Sequence, residues 1–275
     1  MPRTLRRVIS GLCASLIAIA WLCFGSLLRA EEAPARVRVV TYNIHHGEGT
    51  DGRLDLGRIA AVIKGCGADL VALQEVDQGT ERSGGVDQAA VLSELTGLHA
   101  TFGKAMDYRG GAYGLAALSR WPLSGAKVHP LPAEDKVEPR IALVATVQVG
   151  DGSTQIDFIV THLDHRAGST LRPRQAAALR EIFPNNDHQR LQLLAGDFNA
   201  TPQTEAIVGL LTEWSDTAAG QGFSTIPAGK PNRKIDYVLA RPVKRWRVIE
   251  TRALEEATAS DHRPVLAVLE VKDGE

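Results

Sequence analysis

Short apolar runs that end abruptly in acids, amides and imidazoles recur along this chain, and they constrain its fold more than any other feature. The sharpest case is Leu191, Leu193 and Leu194, followed by Gly196-Asp197-Phe198-Asn199-Ala200. Such a run reads as a buried strand, which delivers polar side chains at its C-terminal end, where ligands of α/β sheets sit. Period two then puts Asp197 and Asn199 on one face. A carboxylate beside a carboxamide suits a hard cation, a water or a phosphoryl oxygen. The same residues also spell an Asx turn, with Asn199 capping a segment that begins at Thr201-Pro202. The pentapeptide alone favours the turn; only the repetition of the pattern along the chain favours a site.

That repetition starts near the beginning. Val37 to Tyr42 alternates as a strand and ends in Asn43-Ile44-His45-His46-Gly47, where Asn43 reads equally well as a turn residue. His45, His46 and Glu48 are weaker candidates, because adjacent loop histidines are normally solvated and a metal-binding pair has a different spacing. Ala68 to Leu73 is a buried strand tipped by Gln74-Glu75. A carboxylate there must be paired or metal-bound, which makes Glu75 the strongest single metal ligand. Tyr113 to Trp121 is a strand broken at Pro122, with Arg120 fixing its end. Residues 123–130 and 141–149 alternate like hairpin strands. Arg140, at the start of the second, suits either a phosphate clamp or a pair with Glu138 or Glu134.

Residues 154–160 form a strand ending in Thr161-His162-Leu163-Asp164-His165-Arg166. Ile235-Asp236-Tyr237-Val238-Leu239 carries a carboxylate within a strand, and Ser260-Asp261-His262-Arg263-Pro264 precedes the strand 265–271. Helical spacing marks 55–64, 87–95, 171–183 and 204–211, with Asp55 as a cap and Gly65 as a stop. Arg172 and Gln175 lie one turn apart on the third of these, within reach of a site loop. A short strand is expected over 99–103, a polar glycine-rich loop over 106–112 and another strand over 246–251. The basic stretch Lys230 to Lys234 suits contact with a polyanion, although a five-residue patch is more often a solvated turn.

A chain of 275 residues with 44 % hydrophobic content can bury a large core as one domain or two modest ones. Its first thirty residues stand apart: Arg3, Arg6 and Arg7 precede an almost uncharged apolar run from Val8 to Leu28, then Arg29-Ala30 and Glu31-Glu32. This describes a secretory signal cleaved near Ala30, and the run is also long enough for an uncleaved membrane anchor. Both readings mean export. Cys13 and Cys23 lie inside the run, so Cys66 is left without an internal disulfide partner. Trp21-Leu22 before Cys23 are too bulky for a lipid-attachment context. Four of the 31 Lys+Arg and none of the 32 Asp+Glu fall in residues 1–30, which leaves 27 basic against 32 acidic groups, a net −5. An acidic body lacks the footprint of a tight duplex binder, although a bound divalent cation supplies local positive charge.

Asn43, Glu75, His162, Asp197, Asn199, Asp236, Asp261 and His262 thus each end or interrupt an apolar strand. Their chemistry suits metal-assisted attack of water on a phosphoester: one carboxylate for the metal, another for the water, an imidazole for the developing charge or the leaving oxygen. T-Y-N-I-H-H (41–46), L-Q-E-V (73–76), Y-G-L-A-A-L-S-R (113–120), T-H-L-D (161–164), G-D-F-N (196–199), I-D-Y (235–237) and S-D-H-R-P (260–264) occur in one order. In this the chain resembles the endonuclease/exonuclease/phosphatase superfamily, with its DNase I-like nucleases, neutral sphingomyelinases and inositol-polyphosphate 5-phosphatases. The resemblance covers essentially everything after residue 36. G-D-F-N and S-D-H-R-P are its specific motifs.

The resemblance implies a four-layer α/β sandwich, two mainly antiparallel sheets packed face to face with helices outside, and a metal site at one rim. It implies that Glu75 binds Mg²⁺ or Mn²⁺ with Asn43 in support and Asp261 nearby. Asp197 would activate water and Asn199 would hold a phosphoryl oxygen. His262, its tautomer fixed by Asp236, would contact the phosphate, with His162 on the opposite side. Arg140 and Arg172 are the candidate substrate contacts. The expected organisation is a signal peptide or anchor over 1–30, a linker over 31–36 and a catalytic domain over 37–275, acting as a monomer and touching membrane only through a retained N-terminal segment. Substrate choice lives in loops, which are short here and carry no aromatic membrane-insertion hairpin. A divalent-metal phosphodiesterase or phosphomonoesterase is therefore the expectation, with an extracellular nuclease and a sphingomyelinase-like lipid phosphodiesterase as narrower forms. A non-catalytic phosphate-ligand binder is the rival from another class; its signature, a missing metal or imidazole position, is not found.

Overall fold

Alternation along the central strands is two-sided, because each strand is covered by a second sheet on one face and by helices on the other. The computed structural model describes residues 35–150, 152–185 and 190–272, within a compact unit that begins at Ala35. The first sheet contains β1 (Arg36–Asn43), β2 (Leu70–Gln78), β3 (His99–Tyr108), β4 (Gly111–Ser119), β11 (Trp246–Ala253) and β12 (Val265–Val271), in the order β11-β12-β1-β2-β4-β3. The second contains β5 (Ser124–Pro130), β6 (Ile141–Val149), β7 (Thr154–His162), β8 (Leu191–Asp197), β9 (Ser215–Asp216) and β10 (Asp236–Arg241), in the order β5-β6-β7-β8-β10-β9. β1 pairs parallel with β2, and β7 with β8; the other pairings are antiparallel.

One core lies between the sheets, where Val37 and Val39 of β1 meet Phe158 and Val160 of β7 and Leu193 and Ala195 of β8. The opposite parity points outward. Val40 and Tyr42 pack with Ile59 and Ile63 of α1 (Leu56–Gly65) and Leu92 of α2 (Gln88–Thr96). On the other side, Ile159, Leu194 and Tyr237 pack with Leu179 of α3 (Leu171–Ile182) and Ile207 of α4 (Glu205–Leu210). The four-layer sandwich expected from the motifs is borne out. α1 and α2 begin where Asp55 and Asp87 accept hydrogen bonds from the amides of Arg58 and Ala90.

The expected loop over 106–112 is corrected. β3 runs on to Tyr108 and β4 starts at Gly111, with only Arg109-Gly110 as a tight turn. Both turn residues have positive φ, +42° and +81°, the geometry that two-residue hairpins require. β3 is an edge strand, and its half-exposed polar residues imitate a loop in the sequence. Cys66 is free and buried, as expected without a partner. The proposed signal or anchor over 1–30 and most of the linker lie outside the described residues. Among the described residues, no helix is long and apolar enough to cross a membrane.

At Gly196 the backbone of β8 leaves no room for a side chain against β7. A Cβ there would lie 2.1 Å from the carbonyl oxygen of Thr161, its register partner on β7. Gly196→Ala is expected to destabilise the protein by about 3 kcal/mol, the upper end of overpacking costs, because a backbone oxygen cannot rotate away. A urea midpoint unchanged from wild type would contradict this account of the β7–β8 contact.

Candidate active site

The parity that builds the inter-sheet core also builds the site. On β8 the inward series Leu191, Leu193, Ala195 continues to Asp197, and on β7 Ile156, Phe158, Val160 continues to His162. On β10, which runs antiparallel to β8, the series Ala240, Val238 arrives at Asp236. Register sets His162 directly beside Asp197, and Asp197 directly beside Asp236, forming one row across three strands at one rim. From the facing sheet, Val37, Val39 and Thr41 lead to Asn43 at the same rim. Its Nδ2 donates to Asp197 Oδ2 at 3.2 Å, joining the two sheets.

Glu75 reaches this rim by breaking parity. Strict alternation would place it with Val71 and Leu73 on the helix side. The register against β4 shifts between Gln74 and Val76, so Glu75 is the extra residue of a β-bulge, at φ +59°. The bulge re-aims its carboxylate, and Oε1 accepts from Asn43 Nδ2 at 2.9 Å. Val76 then resumes the helix-facing series. Asn199 also has a positive φ, +49°.

His262 sits on the loop before β12, which Ser260 ties to β1 by donating to the Asn43 carbonyl at 2.7 Å. The Nδ1–H of His262 donates to Asp236, 3.0 and 3.2 Å from its two oxygens, and Nε2 lies 3.7 Å from Asp197 Oδ2. Burial opposes charge on this ring, but Asp236 and Asp197 outweigh burial and push it up to about 10. Burial also raises the Asp197 carboxyl. With repulsion from Asp236 added, and against the pull of His262 and the Asn199 amide, it reaches about 7.

His162 is held in the opposite state. Its Nδ1 lies 2.9 Å from Nη1 of Arg140, and a guanidinium can only donate, so Nδ1 accepts and the ring proton sits on Nε2. That nitrogen lies 3.5 Å from Asp197 Oδ2, the acceptor for its proton, and beside Nδ2 of Asn199, which donates instead to the Leu163 carbonyl at 3.1 Å. Burial first, then the Arg140 charge, keep His162 neutral well below the usual histidine range. One imidazole is therefore a cation and the other a neutral donor, both against the same carboxylate.

Arg140 combines roles that the sequence left open. It is buried, pairs with Glu138 at 2.9 Å, and donates through Nη2 to Nδ1 of His165 at 3.0 Å. Glu134 faces Arg166 and Arg174 instead. Arg172 is a correction: its Nη1 donates to the carbonyls of Asp164 and Arg166, at 2.9 and 2.6 Å, so it secures the loop after β7 and does not line the cleft. Asp261 is half-buried and accepts from Ser260 at 3.4 Å, apart from the Asp197–Asp236–His262 group, although its charge adds to the field on His262. The Asx turn is present, Asn199 N donating to Asp197 Oδ1 at 2.8 Å, but the helix that follows is capped at Thr204.

The cleft above this row encloses about 300 Å³ and has walls that single-residue reading missed. Tyr113, Tyr108 and Arg82 form one side, with the Arg82 guanidinium 4.7 Å from the Tyr108 ring and held by Asp77. Glu138 and His165 form another. The signal for Tyr113 was its parity on β4, two positions before the inward Leu115. His45 and His46, weaker candidates in the sequence, both come close to Glu75.

Buried acids that converge without an equal number of cations call for a counter-charge. Asn43 alone bridges Glu75 and Asp197, and Oε2 of Glu75 has no partner among the described residues. This donor set fits a divalent cation. The fold and the site together define a metal-dependent hydrolase of phosphate esters. A profile of the endonuclease/exonuclease/phosphatase family matches residues 40–262, and the chain belongs to that family.

Solved structures agree. An endonuclease/exonuclease/phosphatase from Beutenbergia cavernae is 26 % identical at a TM-score of 0.69, covering 86 % of this chain and 72 % of that one. A mannosyl-6-phosphatase from Bacteroides thetaiotaomicron (18 %, TM-score 0.69, 85 % and 99 % covered) and the catalytic domain of human Nocturnin with bound sulfate (20 %, TM-score 0.68, 86 % and 94 % covered) share the fold.

Proposed function

We propose that this protein is an exported phosphoesterase, dependent on Mg²⁺ or Mn²⁺, that hydrolyses a phosphodiester or phosphomonoester by direct attack of water. The observation that carries the reading is the His162–Asp197–Asp236 row, with His262 completing it and the two imidazoles in opposite charge states. Glu75, with Asn43 beside it, would hold a divalent cation, which would supply Lewis-acid polarisation of a phosphoryl oxygen. Asp197, poised near neutrality, takes the proton of the attacking water. His262, its Nδ1–H fixed on Asp236, presents Nε2–H to the charge that develops on phosphate, and His162 presents its own Nε2–H from the neighbouring strand. Arg140 sets the His162 tautomer and acts through that ring. Export is supported by Arg3, Arg6 and Arg7 ahead of the apolar run 8–28.

Purified protein is expected to hydrolyse at least one of nucleic acid, a sphingomyelin dispersion, inositol phosphates or mannose 6-phosphate, with loss of activity in chelator and recovery on adding Mg²⁺ or Mn²⁺. Fractionation of the producing cells is expected to find it outside the cytoplasm. Failure to cleave these substrates or an activated phosphodiester, with either metal, would overturn the enzymatic reading. The products distinguish a nuclease from a lipid phosphodiesterase or a monoesterase.

A further inference from the structure

The turn after β1 carries two imidazoles that the row of acids does not use. His45, His46 and Gly47 have φ of +45°, +44° and +81°, so the chain folds back on itself over three successive residues. The rings meet edge to face with centroids 4.6 Å apart. One nitrogen of each ring and one carboxylate oxygen of Glu75 lie within 4.8 Å of one another.

Each ring has one nitrogen engaged by Glu48. His45 Nδ1 lies 3.2 Å from the Glu48 carbonyl, which only accepts, so this nitrogen carries the proton and Nε2 keeps its lone pair. His46 Nε2 lies 3.4 Å from Glu48 Oε2, whose charge favours the proton on that nitrogen and the lone pair on Nδ1. That Nδ1 is buried without a hydrogen-bond partner, on a side chain only 10 % exposed. A carbonyl or carboxylate on the far nitrogen is the arrangement that orients imidazoles toward a metal. An orphaned buried acceptor otherwise goes unexplained.

We propose that His45, His46 and Glu75 form a mixed nitrogen and oxygen site for a divalent cation that takes imidazole, Co²⁺ or Zn²⁺ ahead of Mn²⁺, in preference to Mg²⁺. Imidazole ligands favour these ions, whereas Mg²⁺ keeps to oxygen donors and water. Bonds of about 2.1 Å span donors up to about 4.2 Å apart, so small side-chain rotations close the site. The inference rests on the reading above in sharing Glu75, and it names the class of ion held there.

The test reads the bound metal. Full-length protein stripped with chelator and loaded with one equivalent of Mn²⁺ is expected to show ¹⁴N coupling from imidazole in pulsed electron paramagnetic resonance. By calorimetry it is expected to bind Co²⁺ at least about 10-fold tighter than Mg²⁺. His45→Gln and His46→Gln are each expected to weaken Co²⁺ by about 10- to 100-fold and to reduce the ¹⁴N signal, and Glu48→Ala to weaken it less. Absence of ¹⁴N coupling in the wild type, which needs no variant to fold, overturns the site, as does equal affinity for Co²⁺ and Mg²⁺. Chelator-sensitive hydrolysis without ¹⁴N coupling defeats this inference alone; ¹⁴N coupling without hydrolysis of any substrate defeats the phosphoesterase reading alone.

Discussion

His262→Ala is expected to lower turnover of an activated phosphodiester by about 10³- to 10⁴-fold at saturating metal. Two losses combine. The imidazolium that faces the developing phosphate charge disappears, a loss comparable to removing one preorganised donor, about 10²- to 10³-fold. Asp236 and Asp197 also lose the cation lying between them. Burial and mutual repulsion, which already hold Asp197 near 7, then act unopposed and keep it protonated at neutral pH, so its role as base is lost as well. The two losses belong to one unit and do not multiply in full. Steady-state kinetics on a bis-nitrophenyl phosphate, with a melting curve to confirm folding, checks this. Turnover within tenfold of wild type would remove His262 from the mechanism.

Asp197→Asn is expected to cost about 10³-fold in the same assay while leaving the protein at least as stable as wild type in chelator. The carboxamide has the same shape, so the row across the three strands survives, but it cannot take a proton from water. The stability sign follows from the raised carboxyl. A folded-state value of about 7, against an unfolded value near 3.9, means that the native state holds the proton more tightly. The stability this lends is fully present below about pH 4 and is lost as pH rises through about 7. Wild type should therefore fall relative to Asp197→Asn as pH goes from 4 to 7, in urea midpoints measured with chelator. A variant that is active, or one that loses stability relative to wild type over that range, would contradict the placement of Asp197 as a buried, poised base.

Much of this site was legible in the chain. Asp197, His162 and Asn43 were read as strand-end groups because strands alternate, and the structure continues each inward apolar series to those residues. Glu75 reads as an acid that must be paired or metal-bound; the structure leaves it half-buried, with one oxygen accepting from Asn43. Local pattern failed where side-chain direction is set by distant partners. Arg172 shares a helix face with Gln175, yet its guanidinium turns to the carbonyls of the loop after β7, while Gln175 Oε1 accepts from the Asp164 amide. The adjacent histidines rank as weaker candidates in the sequence, because loop neighbours are normally solvated and a metal pair has a different spacing, and the left-handed turn is what brings both rings to Glu75.

The sequence by itself determined which residues are inside and which polar groups stand at strand ends, since period-two burial is a local property of each strand and the cost of burying a lone acid is the same in any fold. It also carried the order of the motifs, and with them the family. The tertiary structure alone decided who meets whom. Register placed His162, Asp197 and Asp236 side by side, a bulge turned Glu75 from the helix side to the rim, and burial with Arg140 kept His162 neutral while Asp236 and Asp197 charged His262. Those outcomes depend on hydrogen-bond pairing between strands distant in sequence and on electrostatics inside a buried pocket, and neither is encoded in any one segment of the chain.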